Sequence, residues 1–333
     1  MDSLFDDAPQ KAYVDELNVG DLVESAFVVH RLNLREYDKG KFLQVRLGDR
    51  TGKVNAVLWN NADSVNERLE EGQIVHIEGK VNSYQGELQI TLDRIEALQD
   101  LSEVDPGDFL PKSPYELDEM TAEFDQRIEE IQDTDFRELL ESFRNDEAVW
   151  KKFSTAPGAK LWHHPYIHGL LEHTLSVIRM CRAAADNYPN INRDLLITGA
   201  VFHDSGKMDE FEYDFRIDYS TQGRLLTHVY MSTKLAEQLI ERLEAFPEEK
   251  RRLLLHIILS HHGETERSPV LPMTLEACLL HHVENMDAQI AAFQREMDKV
   301  GNESKPWTGY VNLIGRYLYR GEPQAPDDEE AAS

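Results

Sequence analysis

Apolar and polar positions alternate through the first hundred residues in five runs: ESAFVVHRLNL, KFLQVRLGD, KVNAVLW, QIVHIEGKVN and ELQITLDRIEAL. A period of two with many β-branched residues predicts strands, and the intervening DKGK, DRTGK, EEGQ and SYQGE predict turns. Between the third and fourth runs, NNADSVNERLEEG reads as a short helix. From Glu116 onward the apolar period becomes that of a helix. In GLLEHTLSVIRMCRAAADNY, for example, Leu170, Leu171, Val177, Ile178 and Cys181 recur along one side. RDLLITGAVFHDSGK, LLTHVYMSTKLAEQLIERL, KRRLLLHIILSHHGE and PMTLEACLLHHVENMDAQIAAF continue that pattern.

Five strands with a helix between the third and fourth follow the order of an OB-fold barrel, so the expected architecture is multi-domain, an all-β OB-fold barrel followed by an all-α domain. The expected boundaries are 12–100 for the barrel, 101–150 for an acidic linker and connecting helices, 151–320 for the helical domain and 321–333 for a disordered acidic tail. LGDRTGKVNAVLW resembles nucleic-acid-binding OB domains. Charge sharpens this: 35 basic against 62 acidic residues give a net −27, which argues against non-specific coating of nucleic acid. Residues 31–53 nevertheless hold seven basic and three acidic residues, a local +4. Arg35, Lys39 and Lys41 are thus candidate phosphate contacts, and Tyr37, Phe42, Trp59 and Tyr84 candidate stacking platforms, with core packing as the alternative for each ring. His30 and His76 read as packing residues of barrel strands.

No apolar run reaches the ~18 residues of a membrane helix, and the acidic start MDSLFDDAPQ lacks the marks of a secretory signal. The two cysteines, Cys181 and Cys278, read as buried reduced thiols, which points to the cytoplasm.

Of 13 histidines, 11 lie between His163 and His282. His173 sits in the first turns of one helix, and His203-Asp204 closes another. His228 opens a third, His261-His262 ends a fourth, and His281, Glu284 and Asp287 share one face of the last. An adjacent His-Asp pair at the end of an apolar helix is costly unless paired or metal-bound. Imidazole nitrogen with carboxylate oxygen suits Mn²⁺, Fe²⁺, Co²⁺, Ni²⁺ or Zn²⁺, and no thiolate takes part. Asp204 is placed to bridge two ions, which would activate a water and clamp a phosphodiester. His256 and His282 read as core or supporting residues.

The order His173, His203-Asp204 and a late acid resembles the HD-domain metallophosphohydrolases. WHHPYIHGLLEHT, AVFHDSGK and ILSHHGE, following an OB barrel, resemble the YhaM-type 3′–5′ exoribonucleases over roughly residues 12–318. That resemblance implies a metal-dependent nuclease acting on single-stranded RNA, with single-stranded DNA as a further substrate. It implies His173, His203, Asp204 and Glu284 or Asp287 on one ion, and Asp204, His228 and His261 or His262 on a second. Mn²⁺ is the expected metal. Lys207 is implied at the scissile phosphate, and His163, His164, His168 and Arg224 along the substrate path. The chain departs from the family's frequent Gly-Gly, with His168-Gly169, and carries Glu284 where Asp is usual. Alternative expectations are hydrolysis of small or cyclic nucleotides, or a non-catalytic single-strand-binding factor. The resemblance leaves self-association open.

Overall fold

The computed structural model describes residues 11–38, 40–102, 104–264, 268–298 and 305–322. Lys39, and all of the expected tail beyond residue 322, lie outside the described residues. The chain forms two units, one of residues 1–112 with 212–218, the other of 113–211 with 219–333.

In the first unit, β1 (Leu22–Tyr37), β2 (Gly40–Gly48) and β3 (Lys53–Leu58) precede a short helix, α1 (Ala62–Asn66). β4 (Ile74–Tyr84) and β5 (Glu87–Ala97) complete a closed barrel in the order β1-β2-β3-β5-β4, with β3 and β5 the parallel pair. This is the OB-fold barrel anticipated from the strand order. Inward positions follow the alternation: Val23, Phe27 and Val29 in β1, Leu43, Val45 and Leu47 in β2, and Val75, Ile77 and Val81 in β4 are all buried. The pattern changes parity twice, in β1 and in β5, where the buried positions pass from Ile90 and Leu92 to Ile95. A bulge between Val29 and Arg31 shifts the register of β1, so Leu32 and Leu34 face inward after Phe27 and Val29. The displaced His30 ring lies over Gly48, where a Cβ would stand 2.6 Å from it, so only glycine fits beneath the bulge. On the outer side, buried Val28 and Ile74 pack with Phe109 and Phe215.

The second unit is helical: α2 (Leu117–Glu129), α3 (Thr134–Asn145), α4 (Glu147–Thr155), α5 (Gly169–Ala185), α6 (Arg193–Phe202), α7 (Lys207–Glu210), α8 (Thr221–Ile240), α9 (Glu248–Ser260) and α10 (Leu275–Met297). Side-chain caps set several starts: Asp133 for α3, Asp146 for α4, Asn192 for α6, Ser220 for α8 and Thr274 for α10. α6 is buried from Leu195 to Phe202 because the run is apolar on every face. Phe143 stacks edge-on against both Phe153 and Phe202, tying α3, α4 and α6 together. Cys181 is buried as expected; Cys278 is exposed, because its position on α10 faces away from the core that holds Ala277 and Leu280. Among the described residues no helix is long and apolar enough to cross a membrane.

Candidate metal centre

Five helices deliver the cluster. His173 projects from the first turns of α5, and His203-Asp204 follow the last residue of α6. His228 lies in α8, His261-His262 follow α9, and Glu284 and Asp287 are on α10. Gly206 lets the turn after α6 meet the middle of α8. A Cβ there would collide with the carbonyl of His228, and its N–H donates to Ser232 Oγ at 2.8 Å. His173, His203, Asp204 and His261 are buried to 1% exposure or less.

Four imidazoles are aimed the same way. The Nδ1–H of His203 donates to the Ala200 carbonyl at 2.8 Å and that of His261 to the Ile258 carbonyl at 2.7 Å. His173 Nδ1–H donates to Asp287 Oδ2 at 2.7 Å, and His228 Nδ1–H to Glu210 Oε1 at 3.0 Å. Carbonyl and carboxylate oxygens only accept, so each ring carries a proton on Nδ1 and, in its neutral form, turns an Nε2 lone pair inward. Those lone pairs converge on Asp204. His173 Nε2 and His203 Nε2 stand 3.5 and 3.4 Å from Oδ2. His228 Nε2 and His261 Nε2 stand 3.5 and 3.7 Å from Oδ1. The Lys207 ammonium stands 2.6 Å from Oδ2 as an ion pair, and neither oxygen accepts an aligned hydrogen bond.

Electrostatics hold some donors in ligand form and oppose it in others: burial lowers the His173 imidazole, but Asp204 and Asp287 beside it raise it to about 9, so without a cation it keeps its second proton. Burial alone would raise the Asp204 carboxyl, but the charge of Lys207, with the His203 and His173 imidazoles beside it, holds it well below the carboxylate range. Burial pushes His163 and His261 well below the usual imidazole range and His262 down to about 3, leaving all three neutral. Burial raises Glu284, with the Asp204 charge adding to it.

Among the described residues three donor groups emerge, each with atoms within 4.8 Å of one another: His163, His173, Asp204 and Glu284; separately His228, His261 and His262; and, overlapping the first, His163, His164 and His173. Buried donors without hydrogen-bond partners, such as Asp204 Oδ1, His261 Nε2 and both His163 nitrogens, are what a divalent cation would satisfy, so the residues fit such an ion.

Of the two late acids, Glu284 joins the first group, while Asp287 accepts from His173 Nδ1 and from Ser176 Oγ. His163, expected along the substrate path, stands in that same group. His164 is buried, 3.5 Å from Glu172 Oε1. His168 is a structural anchor at the start of α5, its Nδ1–H donating to the Ser154 carbonyl at 2.7 Å. Arg224 lies exposed in the first turn of α8, 5.4 Å from the Tyr219 ring. His281 Nδ1–H donates to the His261 carbonyl at 2.9 Å, His256 Nε2 accepts from the Met273 N–H at 2.9 Å, and His282 is exposed. Glu210 escaped sequence reasoning. It accepts both the backbone N–H and the ring Nδ1–H of His228, and nothing in DEFEY marks it.

On the barrel, Tyr37, Phe42 and Trp59 form one aromatic cluster with centroids 4.9–6.0 Å apart, and Tyr37 and Trp59 are exposed. Tyr84 and Arg35 are exposed as well, and Lys41 pairs with Asp63 at 2.7 Å.

Comparison with known proteins agrees with this division. Residues 28–98 match the model of the OB-fold nucleic acid binding domain, and residues 170–289 that of the HD domain. The chain is 32% identical over 299 residues to the 3′–5′ exoribonuclease YhaM of Listeria innocua, covering 87% of this chain and 91% of that protein. It is 32% identical over 285 residues to the 3′–5′ exoribonuclease YhaM of Bacillus subtilis, covering 85% and 90%.

Proposed function

The chain belongs to the YhaM family of 3′–5′ exoribonucleases, and from that premise we propose that it removes nucleotides hydrolytically from the 3′ end of single-stranded RNA, and of single-stranded DNA, with divalent metal. The observation that carries this reading is Asp204, whose two oxygens each face two inward Nε2 atoms. In the proposed assignment His163, His173, His203, Asp204 and Glu284 hold one ion, and Asp204, His228, His261 and His262 a second. The donor set, imidazole with carboxylate, suits Mn²⁺, Fe²⁺, Co²⁺, Ni²⁺ or Zn²⁺, and Mn²⁺ is the ion proposed. Paired divalent ions supply an activated water and charge stabilisation for attacking and leaving oxygens.

The protein's own residues do the rest. Asp287 and Glu210 fix the tautomers of His173 and His228. Lys207 supplies a cation beside Asp204 that steadies the phosphate. The barrel, residues 12–100, holds the upstream strand through Arg35, Lys39 and Lys41 and through Tyr37, Phe42, Trp59 and Tyr84. Residues 151–320 carry the hydrolytic site, with His164, His168 and Arg224 shaping the approach. A strand-holding barrel is superfluous for a mononucleotide, which disfavours small-nucleotide hydrolysis. Cys181 and Cys278 are both free, consistent with a cytoplasmic location.

The test is 5′-labelled single-stranded RNA incubated with Mn²⁺. A ladder shortening from the 3′ end is expected, abolished by EDTA and by Asp204→Asn and restored after EDTA by Mn²⁺. A folded Asp204→Asn protein with undiminished hydrolysis overturns the assignment.

A further inference from the structure

From Ser304 to Gly321 the chain carries Lys305, Arg316 and Arg320 and no acidic residue, within a protein that has 62 acids among 333 residues. The described part of this segment is an antiparallel hairpin. Thr308 N–H donates to the Leu318 carbonyl at 2.9 Å, Val311 N–H to that of Arg316 at 3.0 Å, and Arg320 N–H to that of Pro306 at 2.7 Å. One side is anchored: Leu318 and Thr308 are buried, and Arg320 Nη2 donates to the Glu296 carbonyl near the end of α10 at 3.0 Å.

The other side holds rings outward. Trp307, Tyr310, Tyr317 and Tyr319 are each at least half exposed. They are already paired across the hairpin, Trp307 with Tyr319 at 4.9 Å and Tyr310 with Tyr317 at 5.3 Å. Arg316 is exposed, held 5.9 Å from the Phe293 ring, and Lys305 is exposed at the hairpin's base. Four large rings left in solvent within 13 residues do not serve this unit's own core, and a patch of that kind marks an interaction surface.

We infer that this hairpin is a second single-strand-binding surface, its rings stacking on bases and Lys305 and Arg316 meeting phosphates. Prearranged aromatic faces interleaved with cations fit a strand that presents both π-faces and negative charge. The inference rests on the proposal that single-stranded RNA is the substrate, and adds a surface outside both the barrel and the metal centre.

The full chain is tested with a fluorescent 24-nucleotide oligouridylate in EDTA, where binding is read without hydrolysis. The triple variant Tyr310→Ala, Tyr317→Ala, Arg316→Gln leaves Trp307 and Tyr319 to hold the hairpin. It should bind on the order of 10–100-fold more weakly, because two stacking contacts are removed. Its hydrolysis of a labelled dinucleotide with Mn²⁺ should be unchanged. Arg316→Gln alone, which keeps every ring, should weaken binding several-fold, so a fold defect in the triple variant does not decide the matter. Full-strength binding by both variants, while the wild type binds and trims the strand, overturns this inference alone. Unchanged binding with a lower mass by light scattering assigns the surface to contacts between copies and likewise overturns it. A wild type that neither binds nor trims overturns the functional reading and this inference together.

Discussion

Asp204 has more donors around it than one carboxylate and one lysine can account for, and the residues behind those donors set how firmly they point. Asp287 touches His173 rather than standing in the ligand group, whereas Glu284 stands within it. Glu284→Gln should therefore remove a direct donor. Asp287→Asn should leave the donor count intact while loosening the His173 ring, lowering Mn²⁺ affinity about 10–100-fold. Titration of Mn²⁺ by electron paramagnetic resonance separates the two: a silent Glu284→Gln with a metal-free Asp287→Asn would reverse their roles. A second residue-scale prediction concerns His30, whose imidazole is pushed down to about 3 from 6.5 by burial, with Lys53, Arg216 and Arg46 adding to the effect. Folded His30 resists a proton that the unfolded chain accepts. Its contribution to stability is therefore complete above about 6.5 and is lost as pH falls towards 3. The stability gap between the wild type and His30→Gln in urea should narrow between pH 7.5 and pH 4.5; a constant gap would contradict it. The chemistry of these residues was legible where side chain meets side chain in a known order, as with His203-Asp204. It was hidden where a ring is held by a backbone carbonyl, as with Ala200 and Ile258, because every residue type carries one.

Among the elements, α8 has a break its sequence conceals. Thr227 has φ 62° and ψ 157°, a backbone region costly for a β-branched residue, yet LLTHVYMSTKLAEQLIERL reads as unbroken helix. The break lies directly before His228, whose backbone N–H then reaches Glu210 Oε1 at 2.9 Å, a bond that continuous helix would direct to a carbonyl. Thr227→Gly should relieve about 1–3 kcal/mol of strain against about 0.4–1 kcal/mol of added unfolded-chain entropy. The melting temperature should rise with Mn²⁺ affinity unchanged, and a fall in both by calorimetry would show that the threonine side chain itself is needed. The β1 bulge went unread, although its trace is in the sequence. Apolar residues fall on Phe27 and Val29 and then on Leu32 and Leu34, and that parity change is the signature of one extra residue. The five strands were legible because most of each run keeps a period of two between turn signals, and the helix between β3 and β4 because NNADSVNERLEEG breaks that period.

For the molecule as a whole, a net charge of −27 makes strand binding a local matter. If residues 31–53 hold the strand, each phosphate contact contributes about 0.7 to the salt slope of binding for a single strand. Arg35→Ala should flatten the slope by about that amount. Lys41→Ala should flatten it less, because Lys41 is already engaged with Asp63. A salt series with long RNA measures both, and equal slopes in wild type and variants would make the barrel a docking module instead. The division of the chain has a different consequence. Residues 212–218 belong with the barrel although they are encoded inside the helical half, and Phe215 packs with Val28, Ile74 and Phe109 there. A single crossover between genes therefore cannot exchange the barrel intact. An ancestor that swapped only the first hundred codons would inherit a Phe215 shaped for a partner it had lost, so the two halves are bound to evolve as one heritable unit.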